Sequence, residues 1–334
     1  MKPDLYICHT AYQVLVETCR AFDAPCPPAV LLSAVLPAAE VLAERLRATG
    51  LFAGVRVFDE EKCGNAFQKG FWRTLLLQRV IGRRNVEKYY GFSLDGTQYR
   101  DIYIHNDWSV LGRYLQDKGL RYILCEDTFA STCANSGHPL IQQQRALPHF
   151  ALRQAFGYGY LYWGDWKKVK AIETESIERA TVPFAKERLL QRRQKAAFAA
   201  LTKEQKALLS SVFITTPLPA DTAGAVLFLT RDFVSEGLMD EETQRRMYKA
   251  VAAKHCSGGP LFIKAHPRDA SDYAALFPGA VVLDRTMPSE VLNFALPFRF
   301  AKAVTVESTV LKAFEAADEK VSLTLDEALA EARA

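Results

Sequence analysis

The chain of 334 residues is 49% hydrophobic and 24% charged, with a formal net charge of +4. It is long enough for one large domain or two of ordinary size, has the balance of a soluble globular enzyme, and is too weakly basic to announce a nucleic-acid partner. Seven cysteines without a CxxC pair (8, 19, 26, 63, 125, 133 and 256) argue against a disulfide framework or structural zinc and for a reducing cytoplasm.

Met1-Lys2-Pro3-Asp4 and the short apolar run behind it read as an opening strand rather than a signal peptide, and no apolar run reaches the length of a membrane span. The first strand is Leu5 to Cys8, followed by a helix from Val14 to Arg20. Ala29 to Leu36 is a second apolar strand, Ala38 to Thr49 a helix capped by Gly50, and Val55 to Phe58 a third strand. Region 64–95 reads as helical and basic. Asp101 to His105 is a strand ending at Asn106-Asp107, Val110 to Lys118 a helix closed by Gly119, and Arg121 to Cys125 a strand ending at Glu126-Asp127. The stretch from about 140 to 210 breaks the rhythm with aromatic clusters and charged helical runs (Ala185 to Ala199, Lys203 to Leu209), so the domain crossover is placed there.

The rhythm then restarts. Strands are predicted at Val212 to Thr215, Ala225 to Leu229, 261–265, Ala280 to Leu283 and Lys302 to Val306. Helices are predicted at Asp240 to Lys254, from Pro288, at Val310 to Ala317 and at about 325–333. Strands alternating with helices at this spacing mean βαβ units and parallel sheets. The expected fold is α/β, two Rossmann-like domains facing each other, over 1–185 and 186–334.

The chain has no GxGxxG, Walker loop, HExxH or GxSxG, and its His and Cys residues lack metal-ligand spacing. Three strand ends remain. Glu126-Asp127 puts two carboxylates together, and desolvation beside a second acid raises a pKa enough to make a general base; helix capping is the structural alternative. Lys264-Ala265-His266-Pro267 follows a buried strand. Its proline fixes a turn, its histidine can serve a phosphate oxygen, and Lys264 alternates to the same face. A structural histidine is the alternative there. Ser308-Thr309 stands where a strand turns into a predicted helix, whose free N–H groups suit a phosphate; capping by Ser308 alone is the alternative. In a doubly wound sheet, His266 and Ser308 reach the same edge and make a nucleotide-phosphate site.

An acidic pair, a later His-Pro and a Ser-Thr pair, in that order, resemble the (D/E)(D/E)G, HP and S(S/T) motifs of bacterial GT-B sialyltransferases. The nearest resemblance is to glycosyltransferase family 52, the lipooligosaccharide sialyltransferases. Ile7-Cys8-His9-Thr10-Ala11-Tyr12-Gln13-Val14-Leu15 resembles that family's opening. Ile104-His105-Asn106-Asp107, Phe228 to Asp232 with Ser235-Glu236-Gly237, and Met287-Pro288-Ser289-Glu290 add to it. The resemblance implies an inverting, metal-independent transfer from a CMP-activated sugar, typically CMP-sialic acid, with no cofactor. The acceptor is a terminal sugar of a lipooligosaccharide or capsular glycan. On this pattern Asp127 is the base, His266 binds or protonates the departing phosphate, and Ser308 and Thr309 hold it. Lys264 and Pro267 join the nucleotide site, with the donor in the C-terminal domain and the acceptor against the N-terminal one. Thr10, Asn106, Asp107 and Glu126 are secondary candidates on the acceptor side.

Thr128 stands where the motif has glycine, and a β-branched residue resists positive φ. Asp232 and Glu236 therefore stay open as alternative bases. Other nucleotide-activated donors (CMP-Kdo, a CDP-polyol) and a non-catalytic binder on the same scaffold also stay open. Basic residues interleave with aromatics at 71–90 and 158–170. Such runs suit either an anionic inner-membrane surface or a solvated helix face beside core aromatics. The expected location is the cytoplasm, with peripheral membrane contact and a homodimer both compatible.

Overall fold

The computed structural model divides the chain into two units, Met1–Leu201 and Thr202–Ala334. It describes residues 1–60, 83–84, 86–88, 93–126, 139–155, 162, 164–181, 186–308, 310–312 and 314–333.

The first unit carries a seven-stranded parallel sheet in the order β3-β2-β1-β4-β5-β6-β7. Its strands are β1 (Leu5–Cys8), β2 (Ala29–Ser33), β3 (Gly54–Phe58), β4 (Ile102–Ile104), β5 (Tyr122–Cys125), β6 (Val169–Thr174) and β7 (Leu189–Gln191). The second unit carries a five-stranded parallel sheet, β10-β9-β8-β11-β12. Its strands are β8 (Val226–Leu229), β9 (Leu261–Lys264), β10 (Val281–Leu283), β11 (Phe300–Val306) and β12 (Ala317–Leu323). Each sheet starts in its interior, winds one way, then jumps back and winds the other. The reversal lies between β1 and β4 in the first sheet and between β8 and β11 in the second. Ligands of open α/β sheets bind beyond the carboxyl ends of the strands at such points.

The central strands are apolar because helices cover both faces. β1, Leu-Tyr-Ile-Cys, is buried along its whole length, and so is β8, Val-Leu-Phe-Leu. Six helices matter below: α1 (Ala11–Phe22), α2 (Ala39–Ala48), α3 (Val110–Lys118), α4 (Lys203–Phe213), α5 (Glu241–His255) and α6 (Leu325–Glu331). Thr10 and Gln13 form a capping box that starts α1 at the end of β1. Ser109 caps α3, and Gly119 ends it in the left-handed region at φ 78°. α5 opens with Asp240, Glu241 and Glu242 and closes with Lys254 and His255, as the macrodipole favours. One core gathers Ile7, Leu31, Ile104, Leu111, Leu115 and Leu124. The other gathers Phe228, Met247, Val251, Ile263 and Val304. Each such side chain contributes about 1.5–3 kcal/mol by leaving water.

Four expectations change. Val212 to Thr215 is not a strand: α4 runs through Phe213. The Thr202–Gln205 capping box starts that helix, and Leu209, Val212 and Phe213 fall on its buried side. Val310 to Ala317 is not a helix. A single 3-10 turn, Val310–Lys312, leads to β12. Between them Asn293 Oδ1 accepts from the Glu315 and Ala316 N–H groups at 2.7 and 3.2 Å. β12 pairs only with β11, and its exposed Asp318, Glu319 and Lys320 hide the strand pattern. The run Ala185 to Ala199 is not one helix: a 3-10 turn at Lys186–Arg188 precedes β7, and only Gln194–Ala199 is α-helical. β6 and β7 were not expected, and because β7 pairs with β6 the first unit extends to Leu201, where the sequence places the crossover at 185. Most of the basic, aromatic-rich stretch at 71–90 lies outside the described residues, as do Tyr158, Tyr160 and Trp163.

Candidate functional site

At the carboxyl edge of the second sheet, β8, β9 and β11 deliver residues from three loops. β9 ends in Lys264, and the chain turns over Pro267 and Arg268, closed by Asp269 N–H donating to the His266 carbonyl at 3.0 Å. His266 N–H donates to Thr230 Oγ1 at 3.2 Å, which pins the turn to the end of β8. His266 Nδ1 accepts the Arg268 N–H at 3.3 Å. A neutral ring that accepts at Nδ1 carries its proton on Nε2. Burial, with Arg268 adding, holds the imidazole below its ordinary value against the pull of Asp232. His266 thus presents a neutral N–H donor at the sheet's carboxyl edge, next to the end of β8.

Three residues beyond β8, Asp232 is buried. One carboxylate oxygen accepts the Ser235 N–H at 3.1 Å, and the other has no partner. Burial works to raise this carboxyl, but the Ser235 contacts and the nearby His266 and Arg268 keep it below its usual range. Glu236 is engaged elsewhere, in an ion pair with Arg231 at 2.7 Å. Arg231 also donates to the Glu307 carbonyl at 2.7 Å. Glu307 follows β11 with φ 48°, a left-handed value that few non-glycine residues adopt. It is held there by Arg231, by its own N–H on the Leu323 carbonyl at 2.8 Å, and by Oε1 accepting the Leu325 N–H at 3.1 Å. Non-glycine residues forced left-handed cluster at ligand sites. Ser308 comes next, and its Oγ accepts the Val310 N–H at 3.3 Å. Thr309 lies outside the described residues.

Lys264 is buried, and its ammonium donates to the carbonyls of Ala265 and Arg285 at 2.8 and 3.2 Å. Burial lowers its pKa to about 8, against Asp284 and Glu290. Those bonds fix the turn after β10 to the end of β9. Asp269 is buried and accepts from the Ser271 N–H at 2.9 Å and from the Tyr273 hydroxyl, so it braces the His-Pro turn from behind.

A model of glycosyltransferase family 52 matches residues 98–325, well over half of the chain. The chain belongs to glycosyltransferase family 52. The resemblance read from its motifs is therefore the right one. A relative of this family 52 chain, an uncharacterized protein of Haemophilus influenzae, is 35% identical over 95 residues. That match spans 28% of this chain and 30% of the relative. The α/β-galactoside α-2,3-sialyltransferase of Photobacterium phosphoreum aligns over 98% of this chain and 94% of its own, with TM-score 0.50 and 12% identity. The 2,6-sialyltransferase of Photobacterium sp. JT-ISH-224, solved with the donor product CMP and the acceptor lactose, aligns over 96% of this chain and 71% of its own, with TM-score 0.52 and 12% identity. At such identities the alignments speak to fold alone, and the fold is that of the GT-B enzymes: two Rossmann-like α/β domains.

At the carboxyl edge of the first sheet, the secondary candidates of the family 52 chain bond to the protein itself. Thr10 caps α1. Asn106 Oδ1 accepts the Trp108 N–H at 3.1 Å. Asp107 is fully buried and accepts the Tyr122 hydroxyl at 3.0 Å. A Cβ at Gly112 would overlap the Asp107 backbone, so glycine lets α3 pack against this loop. Glu126 accepts the Thr174 hydroxyl at 2.8 Å and the Glu175 N–H at 2.6 Å. Asp127 and Thr128 lie outside the described residues.

One cluster among the described residues has metal-ligand types: Glu17, His105 and Cys125, buried, with ligand atoms within 4.8 Å of one another. A guanidinium already fills the place of a cation there. Arg20 lies 2.6 Å from Glu17, pairs with Glu173 and reaches Cys125 at 3.7 Å. Burial opposes the charge on Glu17, but Arg20 and the 2.8 Å bond to His105 hold its carboxyl down to about 2. Burial pushes the Cys125 thiol well up. This is an ion-pair network that ties α1 to β4, β5 and β6, and sequence spacing gave no sign of it.

Proposed function

We propose that this family 52 protein moves sialic acid from CMP-sialic acid to a terminal sugar of a bacterial lipooligosaccharide or capsular glycan, with inversion and without a metal. The observation that carries the reading is the His266 ring, which accepts the Arg268 N–H at Nδ1 and so offers Nε2–H, at the carboxyl edge of the second sheet where the Glu307–Ser308 turn also lies. An N–H donor there suits the leaving phosphate of a nucleotide, whose charge grows as the glycosidic bond breaks. The Ser308 hydroxyl, and Thr309 after it in sequence, add donors for the same group. Pro267 fixes the turn, and Lys264 acts from beneath through the carbonyls it holds. Asp232, buried with one unpartnered oxygen and within electrostatic reach of His266, stands as the alternative base. On the family pattern the C-terminal unit takes the donor and the N-terminal unit the acceptor; the Photobacterium sp. enzyme was solved with CMP and lactose together, which supports a nucleotide donor and a glycan acceptor.

The candidates for accepting the acceptor's proton are Asp127, from the family pattern, and the carboxylates of 232–241. We place the reaction in the cytoplasm, with peripheral contact at the inner membrane face; no described helix is long and apolar enough to cross a membrane. CMP-sialic acid, CMP-Kdo and CDP-glycerol offered in parallel, with product analysis, test the donor. A ligand at a hundredfold its dissociation constant stabilises by about 2.7 kcal/mol, so CMP is expected to raise the melting temperature. No shift with CMP, CDP or UDP, and no transfer from any of the three donors, would overturn the reading.

A further inference from the structure

Two turns make the proposed phosphate site, and neighbouring residues just past β8 hold one each. Thr230 Oγ1 accepts the His266 N–H at 3.2 Å and holds the His-Pro turn. Arg231 holds the other: its Nη1 donates to the Glu307 carbonyl at 2.7 Å. The backbone of Arg231 is itself fixed. The buried Tyr248 hydroxyl, from α5, accepts its N–H at 2.9 Å and donates to its carbonyl. The side chain is fixed as well. Nε and Nη2 donate to the two Glu236 oxygens at 3.3 and 2.7 Å, and the guanidinium lies 5.3 Å from the Phe233 ring centroid. A guanidinium is a rigid planar fork. With one edge taken by Glu236, another N–H is left aimed at the Glu307 carbonyl.

That carbonyl belongs to the peptide linking Glu307, at φ 48°, to Ser308. In a planar trans peptide the C=O and the following N–H point in opposite directions. Whatever holds the carbonyl therefore aims the Ser308 N–H, and among the described residues this N–H makes no hydrogen bond. We propose that Arg231 is a positioning residue of the nucleotide-phosphate site. By holding the Glu307 carbonyl it turns the Ser308 N–H onto the phosphate, and Glu236 keeps the guanidinium in that pose. The inference rests on the transferase reading above and adds a residue to which the motif pattern gives no role. Glu236 offsets the charge of the guanidinium, so Arg231 acts through Ser308 and not as the counter-ion of the phosphate.

The test is the full chain with CMP and cytidine, which differ only in the phosphate. Arg231→Met keeps an extended side chain without donors. It is expected to bind CMP about tenfold more weakly while cytidine affinity stays within about twofold of wild type. For transfer from CMP-sialic acid, KM is expected to rise by more than kcat falls. Arg231→Lys, a point charge without the fork, is expected to fall between Arg231→Met and wild type. Glu236→Gln separates positioning from direct contact. An arginine that touched the phosphate would bind it more tightly once freed from its acid. A positioning arginine loses its support, and CMP affinity is expected to fall by about threefold. If Arg231→Met fails to fold, Arg231→Lys and Glu236→Gln decide. A CMP-to-cytidine affinity ratio equal to wild type in the Arg231 variants, or tighter CMP binding by Glu236→Gln, overturns the inference. If wild type itself does not prefer CMP to cytidine, the nucleotide-phosphate reading fails first and the inference with it.

Discussion

At the edge of the first sheet, Thr10, Asn106 and Glu126 turn their polar atoms onto nearby backbone and hydroxyl groups, while Asp107 pairs one carboxylate oxygen with the Tyr122 hydroxyl and keeps the other buried and unpartnered. At the edge of the second, His266 keeps a ring N–H, Asp232 keeps an unpartnered oxygen, and Glu307 stands at φ 48°. Both edges are polar and both lie at a reversal of strand order, so composition and topology do not separate them. Nor does satisfaction, because each edge keeps a buried carboxylate oxygen without a partner. Electrostatics does. Burial pushes the Asp107 carboxyl up to about 7, whereas the Ser235 contacts, His266 and Arg268 hold Asp232 below its usual range against burial. A carboxyl kept near neutrality suits scaffold, and a charged one beside cations suits a ligand site.

The sharpest way to break the comparison is to unpair the scaffold. Removing one partner of a buried ion pair costs about 3–5 kcal/mol, because the remaining charges stay buried. Arg20→Ala leaves Glu17 and Glu173 uncompensated and is expected to lose about that much in urea unfolding. Replacing all three by Met, Gln and Gln is expected to recover most of it. Recovery would mean that the network serves orientation, not net stability. His266→Ala is expected to do the opposite: little change in unfolding, because its Thr230 contact is made by the backbone, and a loss of about a hundredfold or more in transfer. Equal losses of stability in both variants would erase the distinction between the two edges.

Much of this fold is legible in the sequence because central parallel strands are continuous apolar runs. β1, β5, β8 and β9 stand out, and the caps of α3 and α5 are visible as Ser109, Gly119 and Asp240. Edge strands are not so plain. β7 is three residues long, and β12 carries three charges in a row, so pairing rather than pattern makes them strands. At the site, His266-Pro267 and Ser308 were visible as residue types at strand ends. Arg231 and Glu307 were not, because the bond that joins them spans 76 positions and depends on a left-handed turn that no residue type announces.

The pH dependence of stability sharpens the comparison from the scaffold side. Burial pushes the Asp107 carboxyl from 3.8 up to about 7, against the bond from Tyr122. Between those values the folded chain holds a proton that the unfolded chain has released. Stability from this group is therefore complete near pH 4 and is lost as pH rises to about 7, by on the order of a few kcal/mol. Glu17 works the other way, but only below its unfolded value of 4.5. Asp107→Asn is expected to flatten urea midpoints between pH 4 and 7, and an unchanged slope would move the titration to another group.

The smallest effect tests whether the strain at the second edge belongs to the ligand. A non-glycine residue held left-handed costs about 1–2 kcal/mol, and Glu307→Gly removes that strain. It also removes the Oε1 bond to the Leu325 N–H at the start of α6, a loss of about 1 kcal/mol. The two nearly cancel, so the melting temperature of the free protein is expected to move by only a few degrees. CMP affinity is expected to fall several-fold, because glycine frees the backbone that aims Ser308. A thermal-shift titration reads both at once. If Glu307→Gly binds CMP as well as wild type, the left-handed turn serves only to hold the start of α6. The unpaired groups that mark the site would then reduce to His266 and Asp232.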